Sequence, residues 1–435
     1  MNLLSRCLLV SFLPFCFTSC MNEVQVVALT QSAGGHTIHH NSIFSPDDEW
    51  IVFDGRNDDT KIGETSTIGM VHVKTGEERM LYKTNNQTVY GPGVGAASFS
   101  PKENTVLFIH GLYDADAVKP YDMTRRFGLA IHTDKPMQGI HMDARDVVSP
   151  YRPGSLRGGT HSHCWSNDGQ LISFTYNDEF VDPDLRVVGV MIPADKEIVV
   201  PVSNGNNNGT YYSAIVSDVV REPKWGSDEI SKAFDECWLG GSGQFTIAFQ
   251  GNTRNEKGET ITEIYTVGID PEMIRKDAAA VGREGERPRV PNGVRQHRLS
   301  RTVKGLSDLR HWLRASPDGS FVYALAKDDK GQNQLVQCEV STGELTYISR
   351  FDFSISSPIN ISYQGDKITF VANNNVYVFW LKSKKLEKLT SNSVTDLKIV
   401  GVPVFSRKDD KIAFNQFVAE KESEYIQIKL INLVD

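Results

Sequence analysis

The chain has 435 residues, 40% of them hydrophobic and 23% charged, with a formal net charge of -8. An acidic balance without a basic tract argues against nucleic acid as a partner, because phosphate binding needs a cationic face. After the N-terminal leader no stretch approaches the ~18 continuous apolar residues of a membrane span.

The first twenty residues read as a processing signal. Arg6 supplies a positive start, Leu8 to Phe17 an apolar core, and Phe17-Thr18-Ser19-Cys20 a small-residue cleavage site ending in Cys. The alternative to a Cys that is part of the signal is an ordinary secretory signal with a coincidental Cys. Residues 21–435 read as one large domain.

A short phrase then recurs seven times: an apolar residue, usually Ser, a turn, and a β-rich triplet. It runs Phe44-Ser45-Pro46-Asp47-Asp48-Glu49-Trp50-Ile51-Val52-Phe53 first and returns at Ser100, Ser166, Trp238, Ser316, Ser362 and Ser406. One strand-turn-strand unit at a spacing of roughly 45 to 75 residues means an array, since a lone unit cannot bury its apolar face. The expectation is all-β: a seven-bladed β-propeller with four-stranded blades. The seventh unit ends one strand short, and the apolar run Val24 to Thr30 is expected to supply that strand and close the ring. A short helix is expected over Asp228 to Phe234. Long connections at 111–126, 150–160, 203–234 and 270–300 interrupt the period, as functional loops do.

Of six cysteines, Cys7 and Cys16 fall in the leader. Cys164 and Cys237 share a repeat position in adjacent units, so one disulfide is conceivable, although two buried thiols fit better; Cys338 completes the set.

Counting back from the phrase Ser, the fifth residue upstream is His40, His161 and His311 in the first, third and fifth units. This stretch opens the innermost strand of a blade, at one mouth of the central channel. His163 lies two residues beyond His161, on the same side by the period of two, and Glu236 holds the matching place in the fourth unit. Imidazoles with a carboxylate suit a divalent metal, so His40, His161, His163, His311 and Glu236 are candidate ligands. Each His alone reads better as the cap of a strand end, bonded to a loop carbonyl; the alignment of three at one repeat position with His163 is what points to a metal. Arg152, Arg157, Arg310 and Arg314 flank these stretches, placed either to hold an acidic ligand or to pair with loop carboxylates.

Several phrases carry resemblances. Phe17-Thr18-Ser19-Cys20 resembles a bacterial lipobox, which implies diacylglycerol on Cys20 and anchoring in the cell envelope, as an outer-membrane lipoprotein facing the periplasm. Ser45-Pro46-Asp47-Asp48 and Ser316-Pro317-Asp318-Gly319 resemble the repeat of TolB-like propellers. His161-Ser162-His163 is similar to the paired histidines of oligogalacturonate lyases, which implies Mn on His161 and His163; that family's Gln ligand has no counterpart, Gly158 and Gly159 standing in its place. The stretch Arg152 to His161 and Gly91-Pro92-Gly93-Val94-Gly95 resemble the YidR-like propellers.

Two functions follow as expectations. The first is a metal-dependent enzyme, with Mn or Zn, acting on an acidic oligosaccharide, most concretely by β-elimination. Here His40 or His311 serves as base and Arg157 holds a carboxylate. The alternative is a non-catalytic periplasmic lipoprotein that binds a protein or glycan through the propeller face.

Overall fold

A computed structural model describes residues 25–241 and 243–433; the leader and Cys20 lie outside the described residues. Seven blades form a ring. In blades 2 to 7 the sheets are four-stranded, and in blade 1 three strands, Trp50–Asp54, Thr67–His72 and Glu78–Lys83, are joined on the inside by bridges from Thr37 and Phe44. The outermost strand of blade 7 is Val26–Ala28, which pairs antiparallel with Ser423–Asn432. The core lies between blades: Val52 and Ile68 of blade 1 pack with Phe99 and Phe108 of blade 2. Ile38 and Phe53 meet Val404 and Ile428 of blade 7, where the ring joins.

The recurring phrase has a physical cause. Its Ser hydroxyl accepts the backbone N–H five residues on, at 3.0 Å for Trp50, 2.9 Å for Leu171 and 3.0 Å for Phe321. The same hydroxyl donates to an Asp two residues on, at 2.5 Å for Asp47, 2.6 Å for Asp168 and 2.6 Å for Asp318. One Ser and one Asp thus satisfy the tight turn between the first and second strands. Three residues after Ser45, Ser166, Ser316, Ser362 and Ser406 the backbone turns left-handed, at Asp48, Gly169, Gly319, Gly365 and Asp409, which is why Gly or Asp stands there.

Asp228 to Phe234 is not helical. Its end belongs to the strand Lys232–Trp238, where Ala233 is buried between the less buried Lys232 and Phe234 and Asp235 is buried two residues on, a period of two rather than 3.6. The α-helix in the described residues is Pro271–Lys276, capped by Asp270, whose carboxylate accepts from Glu272 and Met273 N–H. The three described cysteines are buried thiols.

Candidate functional site

The inner strands run from one mouth of the channel to the other. At the mouth where they begin lies a cavity of about 610 Å³. Blades 2, 3 and 4 each send one residue into it by the same device. A β-bulge interrupts the inner strand between Gly95 and Ser98, between His161 and Cys164, and between Phe234 and Cys237. At each bulge a non-glycine residue is left-handed: Ala96 at φ 57°, Ser162 at 56° and Asp235 at 51°. All three line the cavity. Such backbone costs on the order of 1–2 kcal/mol per residue and persists only where the surroundings impose it.

The bulge corrects the period-of-two argument. His161 lines the cavity, whereas His163 turns toward blade 2, its Nε2 3.0 Å from the Thr160 hydroxyl. That hydroxyl donates to Asp143 Oδ2 at 2.9 Å, so it accepts from His163 and leaves Nδ1 as a buried lone pair without a partner among the described residues. In blade 4 the cavity-lining acid is Asp235; Glu236 is turned away, 1% exposed, with Ser173 Oγ at 3.3 Å from Oε1 and its pKa pushed up to about 8 by burial.

The other expected residues are placed as follows. His311 is engaged at both nitrogens: Nδ1 donates to Leu309 O at 2.6 Å and Nε2 accepts from Leu325 N at 3.1 Å. It caps a strand end and has no lone pair left for a metal or a substrate proton. His40 stacks on Trp312 and takes a bond from Arg314 at Nδ1. Arg157 does not reach the cavity. Its Nε donates to Asp178 at 3.0 Å, its Nη groups to Glu286 O and Val281 O, and its guanidinium lies 4.6 Å over Tyr151. It is a 2%-exposed structural ion pair rather than a free carboxylate holder.

No three His, Cys, Asp or Glu among the described residues gather as a group able to hold a metal ion. The expected ligands do not fit Mn or Zn as a set, because the bulges part His161 from His163 and His311 is spent on the backbone.

The cavity holds instead a group of cations. Arg126, Arg186, Lys232 and Arg310 line it from blades 2 to 5 and, among the described residues, none has a carboxylate at ion-pair distance. Arg126 lies 5.0 Å over Tyr121, Lys232 4.7 Å over Phe234 and Arg310 4.5 Å over Trp312. Arg186 donates to neutral Asn177 at 3.0 Å. Burial and then the field of Arg126 bring Arg186 down to about 10, and burial with Arg186 lowers Lys232. Of the lining acids, Asp59 pairs with Arg56 and Asp308 with Lys327, leaving Asp235 alone. His161 is held neutral by burial, then by Arg126 and Arg186, and neither of its nitrogens has a partner among the described residues.

Of these cations Arg310 was read in the sequence as a possible holder of an acidic ligand, whereas Arg126, Arg186 and Lys232 were not, although Arg126 and Arg186 each open the third strand of their blade, Arg126–His132 and Arg186–Ile198.

"Uncharacterized protein YidR" of Escherichia coli (strain K12) is 33% identical over 379 residues, covering 84% of this chain and 88% of the relative. This chain belongs to the YidR family. Residues 93–207 match the family model described as "Protein of unknown function (DUF3748)", a segment that carries Arg126, His161 and Arg186. Among solved structures, an oligogalacturonate lyase in complex with manganese superposes with a TM-score of 0.54 at 12% identity, covering 95% of this chain and 94% of the lyase. An oligogalacturonate lyase from Vibrio parahaemolyticus gives a TM-score of 0.53 at 12% identity, with 96% and 95% covered. At that identity the likeness shows the propeller fold alone.

Proposed function

We propose that this member of the YidR family binds an acidic oligosaccharide in the cationic cavity and cleaves it by β-elimination. The observation that carries the reading is the group of Arg126, Arg186, Lys232 and Arg310 without carboxylate partners around one cavity. Like charges gathered around one cavity repel, and a polycarboxylate bound among them relieves that repulsion. The oligogalacturonate for which the two lyases of similar fold are named has this chemistry.

In the proposed reaction a uronate carboxylate sits against Arg126 and Arg186, which stabilise the negative charge that develops when the adjacent C5–H bond is broken. Neutral His161 takes the C5 proton. The C4–O bond breaks, a C4=C5 double bond forms, and the leaving oxygen takes a proton from Asp235, whose pKa is raised by burial. Each proton then re-equilibrates with water. His161 and Asp235 take the acid–base roles in place of His40 and His311, and no step passes through a metal.

The test is ultraviolet absorbance of unsaturated product from a panel of oligouronides, with calorimetric binding of the same panel and of neutral oligosaccharides. Product from an oligouronide supports the proposal. Binding without product leaves the non-catalytic glycan-binding alternative, and no preference for acidic over neutral chains sinks both. Anchoring through Cys20 at a periplasm-facing membrane belongs to the same proposal; Cys20→Ala is expected to move the protein to the soluble periplasmic fraction.

A further inference from the structure

At the opposite mouth, where the inner strands end and the Ser phrases turn, lies a second cavity of about 390 Å³. No Asp or Glu among the described residues lines it, but Arg314, Arg407 and Lys102 do. Arg314 is 5% exposed. Its Nη atoms bond neutral acceptors: Leu313 O at 3.0 Å, His40 O at 2.9 Å and His40 Nδ1 at 3.1 Å. Its Nε has no partner among the described residues. A buried guanidinium without a carboxylate is costly, and the missing anion is the usual remedy. Arg407 likewise spends its donors on the carbonyls of Phe44, Ser45 and Ser100, and lies 5.5 Å over Tyr363.

A second orphan lines the same cavity. Trp165 is 8% exposed and its indole N–H has no acceptor among the described residues. The neighbouring Trp238 differs, because its indole N–H donates to Cys164 O at 3.0 Å. Two unpartnered buried donors and flat aromatic walls in an acid-free cavity describe one ligand chemistry. The head of that ligand accepts from a guanidinium and an indole, and its body is flat and apolar.

We infer that this mouth is a binding site for a small organic carboxylate with a flat apolar body, separate from the saccharide cavity. A bare inorganic anion would leave Trp165, Trp238 and Tyr363 without contact. A neutral ring would leave Arg314 uncompensated. The inference does not depend on turnover at the other mouth.

The experiment titrates the full protein with benzoate, reading intrinsic tryptophan fluorescence and thermal shift, with benzamide and inorganic phosphate as comparison probes. The expected result is a saturable benzoate response, with benzamide and phosphate at least about tenfold weaker. Arg314→Gln is expected to abolish the response and Arg126→Gln, at the first cavity, to leave it in place. Should Arg314→Gln lose its near-ultraviolet dichroism, Arg407→Gln and Trp165→Phe take its place. Trp165→Phe keeps a ring and deletes the N–H, and each variant is expected to weaken benzoate by about tenfold. No saturable response from folded wild-type protein overturns the inference. So does phosphate binding as tightly as benzoate, or a response lost in Arg126→Gln and kept in Arg314→Gln.

Discussion

His40 lies flat against Trp312, ring centroids 3.9 Å apart and planes within 14°. The same indole carries the guanidinium of Arg310 at 4.5 Å, and His40 accepts from Arg314 at Nδ1. One aromatic contact therefore sets a cation in the wall of the first cavity and joins it, through His40, to the guanidinium of the second. Trp312 comes from blade 5 and His40 from the inner edge of blade 1, so closure of the ring is what brings them together.

If Trp312 positions Arg310, its loss should act on binding before chemistry. Trp312→Ala is expected to raise KM for an oligouronide by about tenfold, the ~1–2 kcal/mol of a partly buried cation–π contact, with a smaller change in kcat. Trp312→Phe keeps a ring face and should restore most of the loss. Steady-state kinetics on both variants check it; equal KM in Trp312→Ala and wild type would remove the positioning role.

The unpaired cations set function against stability. Arg186 is half-buried beside Arg126, and its pKa of about 10 reflects the lost hydration and the repulsion. Arg186→Met should therefore raise Tm by a few degrees while weakening oligouronide binding at least about tenfold. The dependence of affinity on salt should also become shallower. Thermal melts and calorimetry at two ionic strengths measure both. A variant that binds as wild type would show that the guanidinium does not meet the ligand.

The ring was legible because a Ser–Asp pair closes the same turn in five of the seven units, at Ser45, Ser166, Ser316, Ser362 and Ser406, and the turn repeats with the fold. The mouth that bears His161 was legible for the same reason, since repeat position and height in the channel are one variable. Which side chains enter the cavity was not. A bulge at Ser162 or Asp235 involves ordinary residues in a left-handed conformation that tertiary packing imposes and no local pattern announces. His163 was thus expected beside His161 in the cavity, and Glu236 in the place that Asp235 holds. Arg157 misled for a different reason: its partner Asp178 lies just beyond the end of the strand Ile172–Asn177, a pairing across the blade that chain position does not reveal.

That pairing can be tested directly. Arg157→Met removes the guanidinium from Asp178, whose carboxylate is 0% exposed and also accepts from Tyr176 Oη at 2.9 Å. Leaving that charge uncompensated should cost about 3–5 kcal/mol. The folded fraction should bind oligouronides as wild type does. Urea melts and calorimetry read the two effects separately; a stable variant with weakened binding would return Arg157 to the ligand.

Buried titrating groups of opposite habit bracket the pH range of the fold. Burial lowers His163 to about 3 and His311 to about 4 from an ordinary 6.5. Each stays neutral when folded while the unfolded chain binds a proton, so their contribution is complete above 6.5 and is lost as pH falls toward 4 and 3. Burial has the reverse effect on two carboxyls, raising Glu236 to about 8 and Asp143 to about 6. These keep a proton that the unfolded chain releases, so their contribution is complete at low pH and is lost as pH rises through 6 and 8. Tm should therefore peak near neutrality and fall by several degrees on either side. Glu236→Gln cannot ionise and should flatten the alkaline side, gaining Tm over wild type near about pH 9 while the acid side stays as it was. His163→Asn should do the converse. Melts across the range check both, and a Glu236→Gln profile parallel to wild type above about pH 8 would show that this carboxyl is already ionised in the folded protein.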